Sequence, residues 1–236
     1  MAKKSVIAII TQVANELNLP SPPAVVSSQT QTVLKLFYLM QAVCDDLMYE
    51  YDWNFLQNRY TFSTVANQSV YPFPTDYFRP IDGTFFDTTN RWPLKGSMTP
   101  TQWEIIQTFN VSVSPFERFR VMNGQMTLFP VPNTTTYNFV FDYISSNYVI
   151  DGNSGLTKAA FTQDADICSF DHRLMIYGIK LKYLAGIGQS TAMAEKDYER
   201  ALQLAKGSDV PGQRISLIAG QQRLISTGNY SDGNWH

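Results

Sequence analysis

A chain of 236 residues with 44% hydrophobic content can bury a real core, which excludes disorder for its body. Only 16% of its residues are charged, against about 25% in a typical soluble protein; Asn, Gln, Ser and Thr fill the gap and desolvate at lower cost against neighbours. The formal charge of −2, with no basic run beyond Lys3-Lys4, lacks the footprint of a sequence-reading nucleic-acid binder.

Lys3 and Lys4 ahead of Val6 to Ile10 imitate a signal peptide. The apolar run is too short, however, and Thr11, Gln12, Asn15 and Glu16 continue at helical spacing. Residues 4–18 place Val6, Ile9, Ile10, Val13 and Leu17 on one face and predict an amphipathic helix, ended by Pro20, Pro22 and Pro23. Ser28 with Gln31 reads as a capping box opening a second helix. Its inward face is Val33, Leu36, Phe37, Met40, Val43, Cys44 and Leu47, and it runs to about Tyr51. Asp52-Trp53-Asn54-Phe55 then reads as a hinge into a β region, with Trp53 expected to be buried.

From Asn58 to about Val149 the period becomes that of strands. Arg59 to Ser63 alternates, Val70 to Pro74 is confined by its prolines to an edge, and Phe78 to Ile81 is extended. Thr99-Pro100-Thr101-Gln102 reads as the capped start of a short helix, about 101–108. Asn123-Gly124 is the favoured two-residue turn of a hairpin from Phe119 to Phe129, and Tyr137 to Tyr143 alternates as another strand. After a Gly-, Asn- and Asp-rich loop at 151–155, Leu174, Tyr177, Leu181 and Leu184 form one helical stripe, broken by Gly186 and Gly188. Ala194, Tyr198, Ala201, Leu202 and Ala205 form the next.

The fold class expected is α+β, an α-helical bundle with an inserted antiparallel β domain and an extended C-terminal arm. Residues 1–57 and 163–206 make the bundle, 58–162 the β-rich insert and 207–236 the arm. First and last helices pack together because each has one apolar stripe to bury. The arm is Gly-, Ser-, Gln- and Asn-rich, yet it carries Ile215, Leu217, Ile218, Leu224, Ile225 and Trp235 without helical period. Such a segment orders on a partner, which makes those six the candidate binding residues.

Catalysis needs shiftable protons brought together, and His is the commonest source; this chain has only His172 and His236. Asp164, Asp166 and Asp171 near His172 imitate a metal site, but carboxylates preceding a helix read as caps for one beginning near Phe170. Asp45-Asp46 reads as a solvated helix face, and no nucleophile, phosphate-binding or zinc motif appears. Cys44 and Cys168 sit in apolar helical surroundings and read as free buried thiols in preference to a disulfide. No catalytic residue, cofactor or metal is expected, and no membrane span, since no stretch approaches about 18 apolar residues. An alternative to a purely structural role is a cell-wall-degrading or carbohydrate-binding protein, using Glu50, Glu104, Glu117 or an Asp as acid, or aromatics such as Tyr71, Phe73 and Tyr77 as a sugar platform. Core packing accounts better for aromatics that alternate along strands.

Asp52-Trp53-Asn54-Phe55, followed by Tyr71-Pro72-Phe73-Pro74-Thr75-Asp76-Tyr77-Phe78-Arg79-Pro80, resembles the head-to-tail adaptor family of short-tailed bacteriophages, the tail tubular proteins. Phe73 stands where that family more often has Leu. The Asn123-Gly124 hairpin running into Leu128-Phe129-Pro130 and the closing helices with Tyr177, Tyr183, Tyr198 and Glu199 fit the same order, over roughly residues 4–206. The resemblance implies a structural virion protein of the head-tail junction, made in the host cytoplasm. It implies a homo-oligomeric ring, usually a dodecamer, joining the portal protein to tail nozzle or tail fibre proteins. DNA would pass through without sequence-specific binding, and the C-terminal arm would reach onto the portal. No catalytic residue carries over.

Overall fold

The computed structural model describes residues 3–109, 118–133 and 137–209. Two helices open the chain, α1 (Val6–Glu16) and α2 (Gln31–Glu50). A single 3-10 turn at Asn54–Leu56 leads to β1 (Gln57–Ser63), β2 (Val70–Pro72), β3 (Tyr77–Pro80), β4 (Phe86–Asp87) and β5 (Trp92–Pro93). There follow α3 (Pro100–Phe109), β6 (Arg118–Met122), β7 (Gln125–Phe129) and β8 (Asn138–Ser145). Three two-residue strands, β9 (Val149–Ile150), β10 (Thr157–Lys158) and β11 (Ile167–Cys168), precede α4 (His172–Gly186) and α5 (Ala192–Asp209). The chain is α+β, with helices at both ends and antiparallel sheets between.

The apolar stripes read from the sequence form the first core. Val6, Ile9, Ile10 and Val13 of α1 meet Leu36, Met40, Val43 and Leu47 of α2 and Leu174, Met175 and Ile179 of α4. The two thiols lie inside it, Cys44 Sγ 3.8 Å from Cys168 Sγ, and burial pushes the Cys44 thiol upward. Three lysines of the closing helices pair with acids of the opening ones: Lys180 with Glu16, Lys182 with Asp46, and Lys206 with Glu50. These partly exposed pairs add little energy each. They do fix which helices lie side by side.

At Gly178 side chains of α2 and α5 both close on α4. A methyl group there would stand 2.8 Å from Val43 and 3.1 Å from Tyr198. The buried arc of α4 is Leu174, Met175, Ile176, Gly178 and Ile179. Of the stripe expected from the sequence only Leu174 is fully buried; Tyr177, Leu181 and Leu184 lie on its flank. The cause is that α4 touches three other helices, so its buried arc is set by neighbours on more than one side. The Ser28–Gln31 capping box is also not formed. Gln31 is the first residue of α2, too early to reach back, and the Ser28 hydroxyl accepts the amide of Thr30 instead. The box at the start of α3 does form, with Gln102 accepting from Thr99 N at 3.0 Å and Thr99 Oγ1 accepting from Gln102 N.

In the β region, β8 is the spine. It pairs with β1 on one side and with β3 and β4 on the other. Its Phe139, Phe141 and Tyr143 enter a second, aromatic core with Tyr71, Phe85 and Phe119, while the next residue, Ile144, belongs to the helical core. One strand thus couples the two cores. A second sheet, β2-β7-β6, has β2 at its edge, and Asn123 (φ 53°) and Gly124 (φ 69°) make the left-handed turn between β6 and β7.

Trp53 is 2% exposed, donates its indole N–H to the Leu47 carbonyl at 2.6 Å, and packs edge-on against Tyr51 and Phe170. Removing it opens a cavity between α2 and α4 and frees a helix carbonyl. Trp53→Ala is expected to cost about 3–5 kcal/mol, and Trp53→Phe less because the ring contacts survive. Urea unfolding of the two variants checks this; a midpoint unchanged by Trp53→Ala would contradict it.

Candidate functional site

The segments that carry the resemblance meet in space. Arg79 pairs with Asp52 and donates to the carbonyls of Met48 (3.4 Å) and Tyr51 (3.2 Å), the end of α2. No basic residue lies in the last turn of that helix, so Arg79 supplies from β3 the cation that its C-terminus favours. Asp76, three residues earlier, accepts from Tyr143 Oη (2.8 Å), Ser145 Oγ (2.7 Å) and Asn58 Nδ2 (3.2 Å). Burial pushes its carboxyl up, but the hydroxyl donors outweigh that and hold it below the ordinary range. Asp76 therefore clasps β1, β8 and the approach to β3. Its role is structural.

At the other side of the same junction, the Asn54 amide donates to Asp209 Oδ2 at 2.6 Å, and its side chain donates to the Asp209 carbonyl. Helix α5 thus runs three residues past Lys206, where the arm was expected to begin, and its last turn is tied to the hinge. A shallow cavity of about 210 Å³ lies there, lined by Lys3, Trp53, Phe55, His172 and Asp209 among others. The six apolar residues Ile215, Leu217, Ile218, Leu224, Ile225 and Trp235 lie outside the described residues.

The acids around His172 do different work from one another. Only Asp171 caps α4, accepting from Arg173 N (2.8 Å) and Leu174 N (3.3 Å), and the helix starts at His172, not Phe170. Asp164 instead accepts the amides of Val25 and Val26, between α1 and α2. Asp166, fully buried, takes Lys158 Nζ at 2.8 Å and the amides of Thr162, Gln163 and Gly152. The loop so organised gives its carbonyls of residues 166 and 164 to Val6 N and Ile7 N, the orphan amides that open α1. The reading of all three as caps of the following helix is corrected accordingly: sequence proximity hid contacts to α1 and to the loop before α2. Nothing in the sequence marks Asp166 as special; Lys158, eight residues away across a turn, is the only cue.

Among the described residues His172 Nδ1 is buried without a hydrogen-bond partner, and burial lowers its pKa. Asp45 and Asp46 are exposed, Asp46 pairing with Lys182. Glu50 is held by Lys206, Glu104 is exposed on α3, and Glu117 is outside the described residues. Tyr71 is buried, and Phe73 and Tyr77 stack at 4.0 Å against the aromatic core. Among the described residues no group of three or more His, Cys, Asp or Glu is placed to hold a metal. No described helix is long and apolar enough to cross a membrane.

The residues of these motifs therefore act as structural joints between the helices and the β region, with Arg79 on the end of α2 and Asp76 across β1 and β8. The profile of the SU10 adaptor protein family matches residues 5–217, and no curated protein matches the chain. The chain belongs to the SU10 adaptor protein family, a phage head-to-tail adaptor family, and is a structural protein of that kind.

Burial raises the Asp166 carboxyl, but Lys158 and the backbone amides more than offset it and hold it low; Lys158 and two amides lower Asp151 as well. A lowered carboxyl stabilises the fold above its ordinary value near pH 4 and loses that contribution as pH falls through the folded value. Asp166→Asn is expected to lower the melting temperature at pH 7, with the gap to the parent narrowing as pH falls below about 4. Thermal melts across that range check it; a gap that does not change with pH would contradict the electrostatic account.

Proposed function

We propose that the chain forms a homo-oligomeric ring, usually of twelve, seated beneath the portal protein, with tail nozzle or fibre proteins below and DNA passing through. Family membership supports the adaptor role. The observation that supports the finer reading is the hinge: Asn54 holds Asp209, the last described residue of α5, beside Trp53, so the residues just before the arm are fixed to the bundle. The arm that follows, with Ile215, Leu217, Ile218, Leu224, Ile225 and Trp235, is the portal-binding element in this proposal. Each arm loses conformational entropy of about 1–2 kcal/mol per residue of backbone on ordering, so one arm alone binds weakly. A ring presents many at once, and effective concentration multiplies their attachment.

The protein acts in this reading without catalysis. Supporting it, among the described residues Asp166 and Asp171 serve a loop and a helix cap, Glu50 pairs with Lys206, and His172 Nδ1 has no hydrogen-bond partner. Assembly happens in the host cytoplasm and the product is part of the virion.

Truncation after Asp209, which keeps the Asn54 contacts, is expected to leave the melting temperature within about 2 °C of the parent while abolishing co-sedimentation with the portal. A truncated chain that sediments with the portal as well as the parent would overturn the assignment of the arm.

A further inference from the structure

Helix α2 buries one face and, among the described residues, leaves the opposite one largely exposed. Tyr38 is 62% and Tyr49 73% exposed, with Asp45 exposed between them. Tyr49 leans on Phe78 of its own chain, at 4.8 Å between ring centroids, and still keeps most of its surface open. Helix α5 carries a second such stripe on the flank turned away from α2. Met193 is 76% and Leu204 62% exposed, with exposed Arg200 between them. Among the described residues neither Asp45 nor Arg200 has an ion-pair partner.

The two stripes have the same spacing. Tyr38, Asp45 and Tyr49 stand at i, i+7 and i+11, and so do Met193, Arg200 and Leu204. On an α-helix those positions fall within about 40° of one another and span about 16 Å. Each stripe is an apolar side chain, a charge and an apolar side chain. The charges are opposite.

They are also level with each other within one molecule. Helices α2 and α5 run in the same direction, since Tyr198 and Val43 meet at Gly178 and, further along both, Lys206 pairs with Glu50. Counting from Tyr198 and Val43 puts Met193 level with Tyr38, Arg200 with Asp45 and Leu204 with Tyr49. Counting from the Lys206–Glu50 pair differs by one residue, about 1.5 Å of helix rise. The neighbouring charge does not spoil the match, because Asp197 falls level with Ala42.

A closed ring is built from a heterologous contact, one face of a subunit against a different face of the next, by rotation without rise. Rotation about an axis along these helices keeps level residues level. We propose that the Met193–Arg200–Leu204 flank of α5 docks on the Tyr38–Asp45–Tyr49 face of α2 in a second copy of this chain, and that this contact closes the ring. The proposal rests on the ring reading given above. It adds the interface, the direction of the ring axis relative to the bundle, and a pairing of Asp45 with Arg200 between copies.

Two measurements on the full chain mixed with the portal protein of its phage test it. In the first, Asp45→Arg and Arg200→Asp are each expected to weaken ring assembly by about tenfold or more, through like charges brought together. The combined Asp45→Arg/Arg200→Asp variant is expected to restore it. Both positions are exposed and, among the described residues, unpaired, so melting temperatures near the parent's confirm that the singles fold. In the second, oxidation of Tyr38→Cys/Met193→Cys is expected to give a ladder of covalent multiples of 26.8 kDa on a denaturing gel, and neither single cysteine variant alone should. A parent chain that forms no ring on the portal overturns the ring reading and the interface with it. A parent that forms a ring, with no rescue by the double reversal and no ladder, leaves the ring standing and overturns this interface.

Discussion

The constraint on which the rest depends is the end of α2. A twenty-residue helix stops there with no basic residue in its last turn, and a strand must leave in a new direction within a few residues. Three groups from distant parts of the chain settle it. Trp53 takes the Leu47 carbonyl and fills the space toward Phe170; Arg79 takes the carbonyls of Met48 and Tyr51; Asp209 takes the amide of Asn54. Helical terminus, β3 and the last turn of α5 are thereby fixed to one point. The Trp53 ring is held between Tyr51, Phe55 and Phe170, and Asp209, the last described residue, is tied to the same point.

The same logic explains why the helices end where they do. The amides that open α1 are satisfied by carbonyls of the loop that Asp166 organises, and that loop lies just before α4. Opening and closing parts of the chain are therefore locked by backbone bonds as well as by the core. The lysine–acid pairs between α4 or α5 and α1 or α2 choose neighbours more than they supply energy. In the proposed ring this matters because two helical faces must be held level with each other for identical copies to meet.

Much of this was legible in the sequence where periodicity or local chemistry decides. The apolar stripes of α1 and α2, the Asn123-Gly124 turn, the Thr99–Gln102 box and the burial of Trp53 all follow from residues within one turn or one hairpin. What was not legible depends on contacts across the chain. The Ser28–Gln31 box fits the local pattern, yet α2 begins too late to use it. The inner arc of α4 is set by three neighbouring helices, which a single stripe does not reveal. Two-residue strands such as β4, β9 and β11 are too short to show a period at all. Arg79 and Asp209 stood in the sequence as ordinary charges because their partners are a helix terminus and a hinge amide remote in the chain.

The central claim is that this hinge-fixed bundle is presented in identical copies around an axis beneath a portal. Electron cryo-microscopy of the chain mixed with its portal tests that most directly. The account predicts a closed ring of copies whose helical bundles run along the axis, with density continuing from the end of α5 onto the portal. Single copies scattered on the portal, or a ring with no connection from α5 to the portal, would contradict it.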